Sequence, residues 1–395
     1  MRILLISSKL PPEYSGSGNR IFETYQDIKK TLNLDVEYLC SSTLENSQKI
    51  YIYRGQKIKM ISKKILNLSL KKNLLANLKN LISHRVNYFI EFILTFIFLI
   101  KCKNKYDIFH IVGNNHITSS AITFSKIFKI PILVEVVNDV DTPKYYEPFF
   151  FNIFFQKGYP RNSKIIVISK KLYLAMIKSG YKKSQLWHKP NTVKDIFFTF
   201  NKKRINKKRI EILHLAKFIP RKKHDFLLNV LNKLPKNYFL TLAGPLEKKG
   251  FNRARDNEYF FKIKQKIKEL KLEKRVKLIA KFVTDPHKLM DKCNIFVLPS
   301  VNEGLGTPLL EAIAMRKPVV SNNLKNIFDV YVKDSSNGFV CDLNENLWAK
   351  RIKDCKKIKY KNLIKHSNRI KNIANNKIIN QNYLKILKQL EKQKK

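Results

Sequence analysis

Short apolar runs closed by Pro, Gly, Ser or Asn recur along the chain, each followed by a mixed stretch long enough for a helix. In the first half these runs are Arg2–Ser7 (RILLIS), Ile108–Val112, Ile132–Val137 and Lys164–Ser169 (KIIVIS). In the second half they are the start of Ile212–Leu228, then Phe239–Gly244 (FLTLAG), Val276–Val283 (VKLIAKFV) and Asn294–Leu298 (NIFVL). Continuous apolar character bounded by turn residues predicts strands buried on both faces. Alternation with helical stretches, such as Arg20–Lys30 and Leu309–Met315, predicts a parallel α/β sheet in each half. Asn201–Arg209 (NKKRINKKR) is basic and poor in apolar residues, so self-repulsion and solvation favour an exposed linker. The expected organisation is a first domain over 1–195, a linker over 196–209, a second domain over 210–365 and a basic helical tail over 366–395. A chain of 395 residues is long enough to give each domain its own core.

Charge adds a second constraint. The chain holds 78 Lys and Arg against 30 Asp and Glu, a formal net charge of +48, which predicts attraction to polyanions, either nucleic acid or an anionic membrane leaflet. No zinc-finger spacing, RNA-recognition signature or basic heptad region is present, and the cations are spread over the whole chain, so no nucleic-acid partner is expected. A compositional bias towards Lys, Asn and Ile also accounts for part of the excess. Five cysteines without paired spacing fit neither a metal site nor a disulfide scaffold, and suit a reducing cytoplasm. Met1–Ser8 reads as the first core strand, not a signal peptide. Tyr88–Ile100 (YFIEFILTFIFLI) is the one strongly apolar stretch; it is short for a membrane span and carries Glu91. With basic flanks on both sides, it is either a helix lying in the headgroup region or a core helix.

Chemistry concentrates in Pro299–Ala312 (PSVNEGLGTPLLEA). Two carboxylates, Glu303 and Glu311, stand with seven residues between them around a Gly-rich turn at a strand's end. Gly304 and Gly306 allow close backbone approach, and Pro308 suits the first turn of a helix. A helix N-terminus attracts anions such as phosphate, while the carboxylates can accept hydrogen bonds from sugar or ribose hydroxyls. The bland alternative is an ordinary β–loop–α connection with solvated glutamates.

This block resembles the E-x7-E motif of the large retaining glycosyltransferase family 4, whose members share the GT-B fold: two Rossmann-like, doubly wound parallel-sheet domains facing across a cleft. The resemblance implies that Glu303 lies beside the donor sugar and that Glu311 binds the ribose hydroxyls. It also implies that the amides from Gly304 to Leu309, along Gly304, Leu305, Gly306, Thr307, Pro308 and Leu309, contact sugar and diphosphate. Ile212–Leu228 (ILHLAKFIPRKKHDFLL) resembles the family's opening segment of the second domain, which carries an Arg and a Lys five positions apart. Lys217 and Lys222 occupy those positions, and Lys217 departs from the usual Arg. A lysine gives up the planar bidentate fork, and Arg221 stands ready to compensate. Gly244 with Pro245 resembles the turn beneath the nucleotide, and Ala280 stands where Gly is usual. Pro11–Asn19 (PPEYSGSGN) resembles the family's glycine loop, with Gly16 and Gly18 as the flexible or positive-φ positions.

The family often carries a His after the strand Ile132–Val137, where this chain has Asn138. Asn can hydrogen-bond a hydroxyl but cannot take a proton. His110 and His116 are each either a satisfied buried histidine or a substitute sugar contact, and Asp139 and Asp141 either orient an acceptor hydroxyl or are solvated turn residues.

The resemblance therefore implies a retaining hexosyltransferase using a UDP- or GDP-sugar as co-substrate, with no cofactor and no metal. Charge on the departing nucleotide would be met by Lys217, Lys222 and helix-end amides. The expected acceptor is a hydroxyl of a glycan or lipid-linked molecule in cell-surface polysaccharide, lipopolysaccharide or glycolipid synthesis. The expected location is the cytoplasm, peripheral on the inner face of the cytoplasmic membrane. A GT-B epimerase or phosphorylase, a non-catalytic membrane-bound scaffold derived from a transferase, and a polyanion-binding protein are the alternatives.

Overall fold

The computed structural model describes residues 1–13, 15–31, 34–42, 47–63, 66, 74–142, 158–199, 208–246 and 253–393. Residues 200–207 of the expected linker lie outside these described residues. The chain divides into two compact units. The first comprises residues 1–168, 172–189 and 380–395, and the second comprises 169–171 and 190–379.

The first unit begins β1 (Arg2–Ser7), α1 (Gly16–Thr31), β2 (Asp35–Cys40), β3 (Gln48–Tyr53), β4 (Gln56–Ile61) and α2 (Leu74–Lys101). It continues β5 (Ile108–Val112), α3 (His116–Phe128), β6 (Ile132–Val136), β7 (Lys164–Val167), α4 (Lys170–Lys178) and β8 (Leu186–His188). Eight strands form one sheet in the order β3-β4-β2-β1-β5-β6-β7-β8. All neighbours run parallel except β3 and β4, a hairpin turned at Arg54 and Gly55, both at positive φ. Strands β5 and β6 are buried at every position, as their unbroken apolar character predicts. The β3–β4 hairpin was not legible, because β3 lies at the sheet edge with a largely exposed, polar-interrupted pattern.

The second unit runs β9 (Ile210–Leu215), α5 (His224–Asn232), β10 (Tyr238–Ala243), α6 (Arg253–Glu269), β11 (Val276–Ile279), α7 (Pro286–Lys292) and β12 (Ile295–Leu298). Then follow α8 (Thr307–Ala314), β13 (Val319–Asn322), β14 (Gly338–Cys341), α9 (Glu345–Asp354), α10 (Tyr360–Ala374) and α11 (Asn376–Lys392). Among the described residues its six strands are all parallel, ordered β11-β10-β9-β12-β13-β14. Its core centres on Ile212, Leu228, Leu242, Val297 and Trp348, and the Trp348 indole donates to Asp342 O at 3.0 Å. In both sheets the order reverses beside the first strand, the place where ligands gather at carboxyl ends.

The units divide at Lys189, ahead of the expected boundary at 195. The reason is local: Val193 bridges Asn375, and Asn375 Nδ2 donates to Asp195 Oδ1 at 2.5 Å, which binds 190–199 to the second unit. Helix α10 also belongs there, through Ser367 Oγ donating to Ala314 O at 2.6 Å, so the segment grouped with the first unit starts at 380 and not at 366.

Candidate functional site

Strands β9 and β12 are parallel neighbours, so their carboxyl ends deliver two loops to one edge of the second sheet. The loop after β9 passes through a 3-10 turn at Pro220–Lys222, and the loop after β12 leads to α8. They are tied at three points: Val301 N donates to Arg221 O at 3.0 Å, Arg221 Nη1 donates to Asn302 O at 2.9 Å, and Lys222 Nζ hydrogen-bonds Glu303 Oε1. Lys222 and Glu303 are only 13% and 10% exposed, so the pair is largely withdrawn from solvent, and burial lowers the Lys222 pKa while Glu303 opposes that shift. The structure thus brings Arg221, Lys222 and Glu303 together. A cation and a carboxylate held in mutual contact can be re-partnered by a ligand carrying both an anionic group and hydroxyls.

Gly306 caps α8 at φ 76°, in the left-handed region, and a Cβ there would meet Phe328 Cε1 at 2.7 Å. Asn191 Nδ2 donates to Thr307 Oγ1 at 2.7 Å, fixing the first residue of the helix. Leu309 N donates to Gly306 O at 2.9 Å, and Pro308 has no N–H, so these two cannot supply the amides expected of them. That leaves Gly304, Leu305, Gly306 and Thr307 as the backbone donors of this turn. Glu311 is half-buried on α8, and burial pushes its carboxyl up to about 7, with Lys194 acting the other way.

Gly244 sits at φ 150°, and its missing side chain is required: a Cβ would lie 2.0 Å from Ala216 O. With Gly244 N donating to Ile279 O and Phe218 N to Pro245 O, the glycine sets the path of the backbone carrying Lys217. Lys217 Nζ lies 3.4 Å from Asp256 Oδ2, and Asp256 is fully buried on α6, where Arg255 also holds it. Asp256 lies far from the motif in sequence, and no spacing marked it. Two buried imidazoles, also without a sequence signal, underlie the same loop. His214 Nδ1 pairs with Val297 O at 3.0 Å, and the His214 and His224 rings meet at 4.6 Å. Burial pushes His214 down to about 4 and holds His224 well below its ordinary value.

In the first unit Gly16 and Gly18 are not loop residues. Both lie in the first turn of α1, and neither has positive φ. A Cβ on Gly18 would lie 2.1 Å from Lys9 O, so its role is to let the helix start pack against the chain leaving β1. His110 is fully buried, its Nδ1 2.7 Å from the Tyr25 hydroxyl and its Nε2 3.5 Å from Glu135, so it is a core histidine and not a sugar contact. Asp141 is also buried and accepts from Val137 N at 2.9 Å and Asn138 N at 2.8 Å. Its carboxylate is spent on the turn and cannot orient an acceptor; burial pushes it up to about 6. Asn138 is exposed and Asp139 half-buried at the carboxyl end of β6. His116, the first residue of α3, hydrogen-bonds through Nε2 to Glu91 of α2. Glu91 is buried and also accepts from Ser62 Oγ at 3.2 Å and Lys63 N at 2.8 Å. No cluster of three or more His, Cys, Asp or Glu suited to a metal ion occurs among the described residues.

Residues 195–377 match the family described as glycosyl transferases group 1. The chain is 32% identical over 174 residues to the capsular polysaccharide biosynthesis glycosyltransferase CapH of Staphylococcus aureus, covering 42% of this chain and 46% of that protein. It is 27% identical over 132 residues to the uncharacterized glycosyltransferase MJ1178 of Methanocaldococcus jannaschii, covering 33% and 34%. These matches therefore span from about a third to just under half of the relatives' length. Among solved structures, Anabaena HepE in complex with UDP and glucose superposes with a TM-score of 0.69 at 16% identity, over 98% of this chain and 100% of that one. The match in fold is thus to GT-B glycosyltransferases, two parallel-sheet Rossmann-like domains in one chain.

Proposed function

We propose that the chain is a retaining, metal-independent glycosyltransferase that moves a hexose from a UDP- or GDP-sugar to a hydroxyl of a glycan or lipid-linked acceptor. The observation that carries this reading is the junction of Arg221, Lys222 and Glu303 beside the Gly306 turn, one helix start away from Glu311. A nucleotide diphosphate sugar offers the matching chemistry. Its pyrophosphate draws Lys222 off Glu303 and engages Arg221, Lys217 and the amides of Gly304 to Thr307. Glu303, released, accepts from the sugar hydroxyls, and Glu311 accepts from the ribose diol.

As the bond to the anomeric carbon breaks, negative charge grows on the leaving phosphate, where Lys222 and Arg221 stabilise it more than in the ground state. Attack from the same face lets a leaving phosphate oxygen take the acceptor's proton, so Asn138 in place of a His is compatible with turnover. The described fold is like that of HepE, whose structure holds UDP and glucose, which supports a nucleotide-sugar donor, and the partial relative CapH is named for capsular polysaccharide synthesis, which supports a cell-surface glycan product. On this reading the product is made in the cytoplasm, at the inner face of the cytoplasmic membrane. A thermal-shift panel of UDP, GDP and their sugars tests the reading. One nucleotide series is expected to raise Tm, because a ligand that binds only the native state stabilises it. No shift with any member, together with no release of nucleoside diphosphate, overturns it.

A further inference from the structure

Helix α2 buries polar side chains alongside Phe92 and Leu99 and exposes an apolar stripe. Its inward side carries Ser83, Asn87, Glu91 and Thr95, all buried. Asn87 pairs with both backbone groups of Leu66, Glu91 holds His116 and Ser62, and Thr95 Oγ1 donates to Glu91 O. Its outward side carries Leu75, Leu78, Ile82, Phe89, Ile97 and Ile100, between 45% and 77% exposed. Val86 and Ile93 fill the gaps at three- and four-residue spacing, so the stripe is continuous along a helix about 42 Å long.

We propose that this face is an interfacial docking element for an anionic lipid leaflet, with α2 lying along the surface. By length and composition Leu78–Lys101 could cross a bilayer, yet the polar inward side is tied into the first unit, and only 28% of the span is buried. A core helix would be covered, and a spanning helix would carry Glu91 and its partners into hydrocarbon. Charge selects the occupant. The only acidic residue of α2 is the buried Glu91, while Lys79, Arg85 and Lys101 stand exposed beside the stripe. A second copy of a chain with net charge +48 would be repelled, whereas an anionic leaflet attracts it. Insertion of the apolar side to the headgroup boundary then leaves the cations at phosphate level.

The docking does not depend on the transferase reading, but its consequence does. Glu91 joins α2 to His116, Ser62 and Lys63 at the carboxyl ends of β4 and β5, so the leaflet would lie close to the edge where a lipid-linked acceptor would be met. The test is flotation of the full chain with vesicles of equimolar phosphatidylglycerol and phosphatidylcholine, against phosphatidylcholine alone. Wild type is expected to float with the anionic vesicles only, and Leu78→Gln/Ile82→Gln/Phe89→Gln to lose about tenfold or more in partitioning. Release of nucleoside diphosphate from donor in solution is expected to be unchanged in that variant. Should the triple variant fail to fold, Ile97→Gln/Ile100→Gln and a Phe89→Trp reporter, expected to shift to the blue on anionic vesicles, make the same test. Equal flotation of wild type and variants, indifference to lipid charge, or a lipid-free dimer that the substitutions dissociate would each overturn the docking proposal. Intact flotation without donor turnover would overturn the transferase reading alone.

Discussion

Lys222 holds Glu303 in the free protein, and the proposed function gives it a second, conflicting task of meeting phosphate charge during the reaction, which its substitutions would separate. Lys222→Ala is expected to lower kcat by about 10²–10³-fold, the range for removing one stabilising group from a developing oxyanion. Lys222→Arg, which keeps the charge, should recover part of the loss; equal rates in all three proteins would contradict the assignment. Glu311 is expected to show itself through pH. Its carboxyl titrates near about 7 in the free protein, raised by burial, so the ionised form that accepts from a ribose diol fills in as pH rises from 6 to 8. Donor KM should therefore fall over that interval in wild type and stay high and flat in Glu311→Gln, as read from initial rates. Gly306→Ala is expected to destabilise the second unit by about 1–3 kcal/mol by chemical denaturation, since the left-handed cap and the contact with Phe328 both exclude a Cβ. At this scale the motif was enough to pick out Glu303 and Lys222, which the fold brings into contact, and its role for Glu311 and Lys217 stays part of the proposal. Asp256, His214 and His224 were not, because they meet the loop only through the packing of α6 and β9. Gly16 and Gly18 were misplaced for a related reason: glycine reads as a loop, whereas the close approach that requires Gly18 is to Lys9 O, a tertiary contact.

Among the elements, the buried parallel strands were the most legible, because burial on both faces leaves an unbroken apolar run between turn residues. The β3–β4 hairpin and the length of α2 were hidden. An edge hairpin has one exposed row, and α2 begins fourteen residues before the apolar stretch that marked it, the difference between Leu74 and Tyr88. The sequence left open whether this helix was covered or exposed; the burial of Ser83, Asn87 and Glu91 and the exposure of Leu78, Ile82 and Phe89 show which side faces out. Strand β9 and helix α5 carry a second testable consequence. His214 is neutral in the fold because burial pushes it down to about 4, below the value of about 6.5 it takes when unfolded. A depressed histidine adds no penalty while the unfolded chain is also neutral, and penalises the folded state once the unfolded chain takes up a proton that the fold excludes. Stability should accordingly be lost as pH falls from 6.5 towards 4, by about 3 kcal/mol for this group, with His224 adding in the same direction. The double variant His214→Gln/His224→Phe should flatten that slope in denaturant titrations; an unchanged slope would assign the acid sensitivity elsewhere.

For the molecule as a whole, sequence alone was enough to anticipate two parallel α/β units, but not the residues at which the chain passes between them. The passage at Lys189 is set by Val193 and Asp195 pairing with Asn375, and the return at 380 by Tyr383 reaching the buried Glu135; neither contact has a local pattern. The sequence offered a motif for a donor side and none for an acceptor side, since a shared nucleotide would impose one motif while acceptors differ. Calorimetric titration of UDP- and GDP-sugars into wild type, Lys222→Ala and Glu311→Gln is the most direct test of the whole account. It predicts saturable binding of one nucleotide class to wild type, with affinity falling about tenfold or more in both variants. Binding that ignores both substitutions, or no binding of any nucleotide sugar to the wild-type chain, would contradict it.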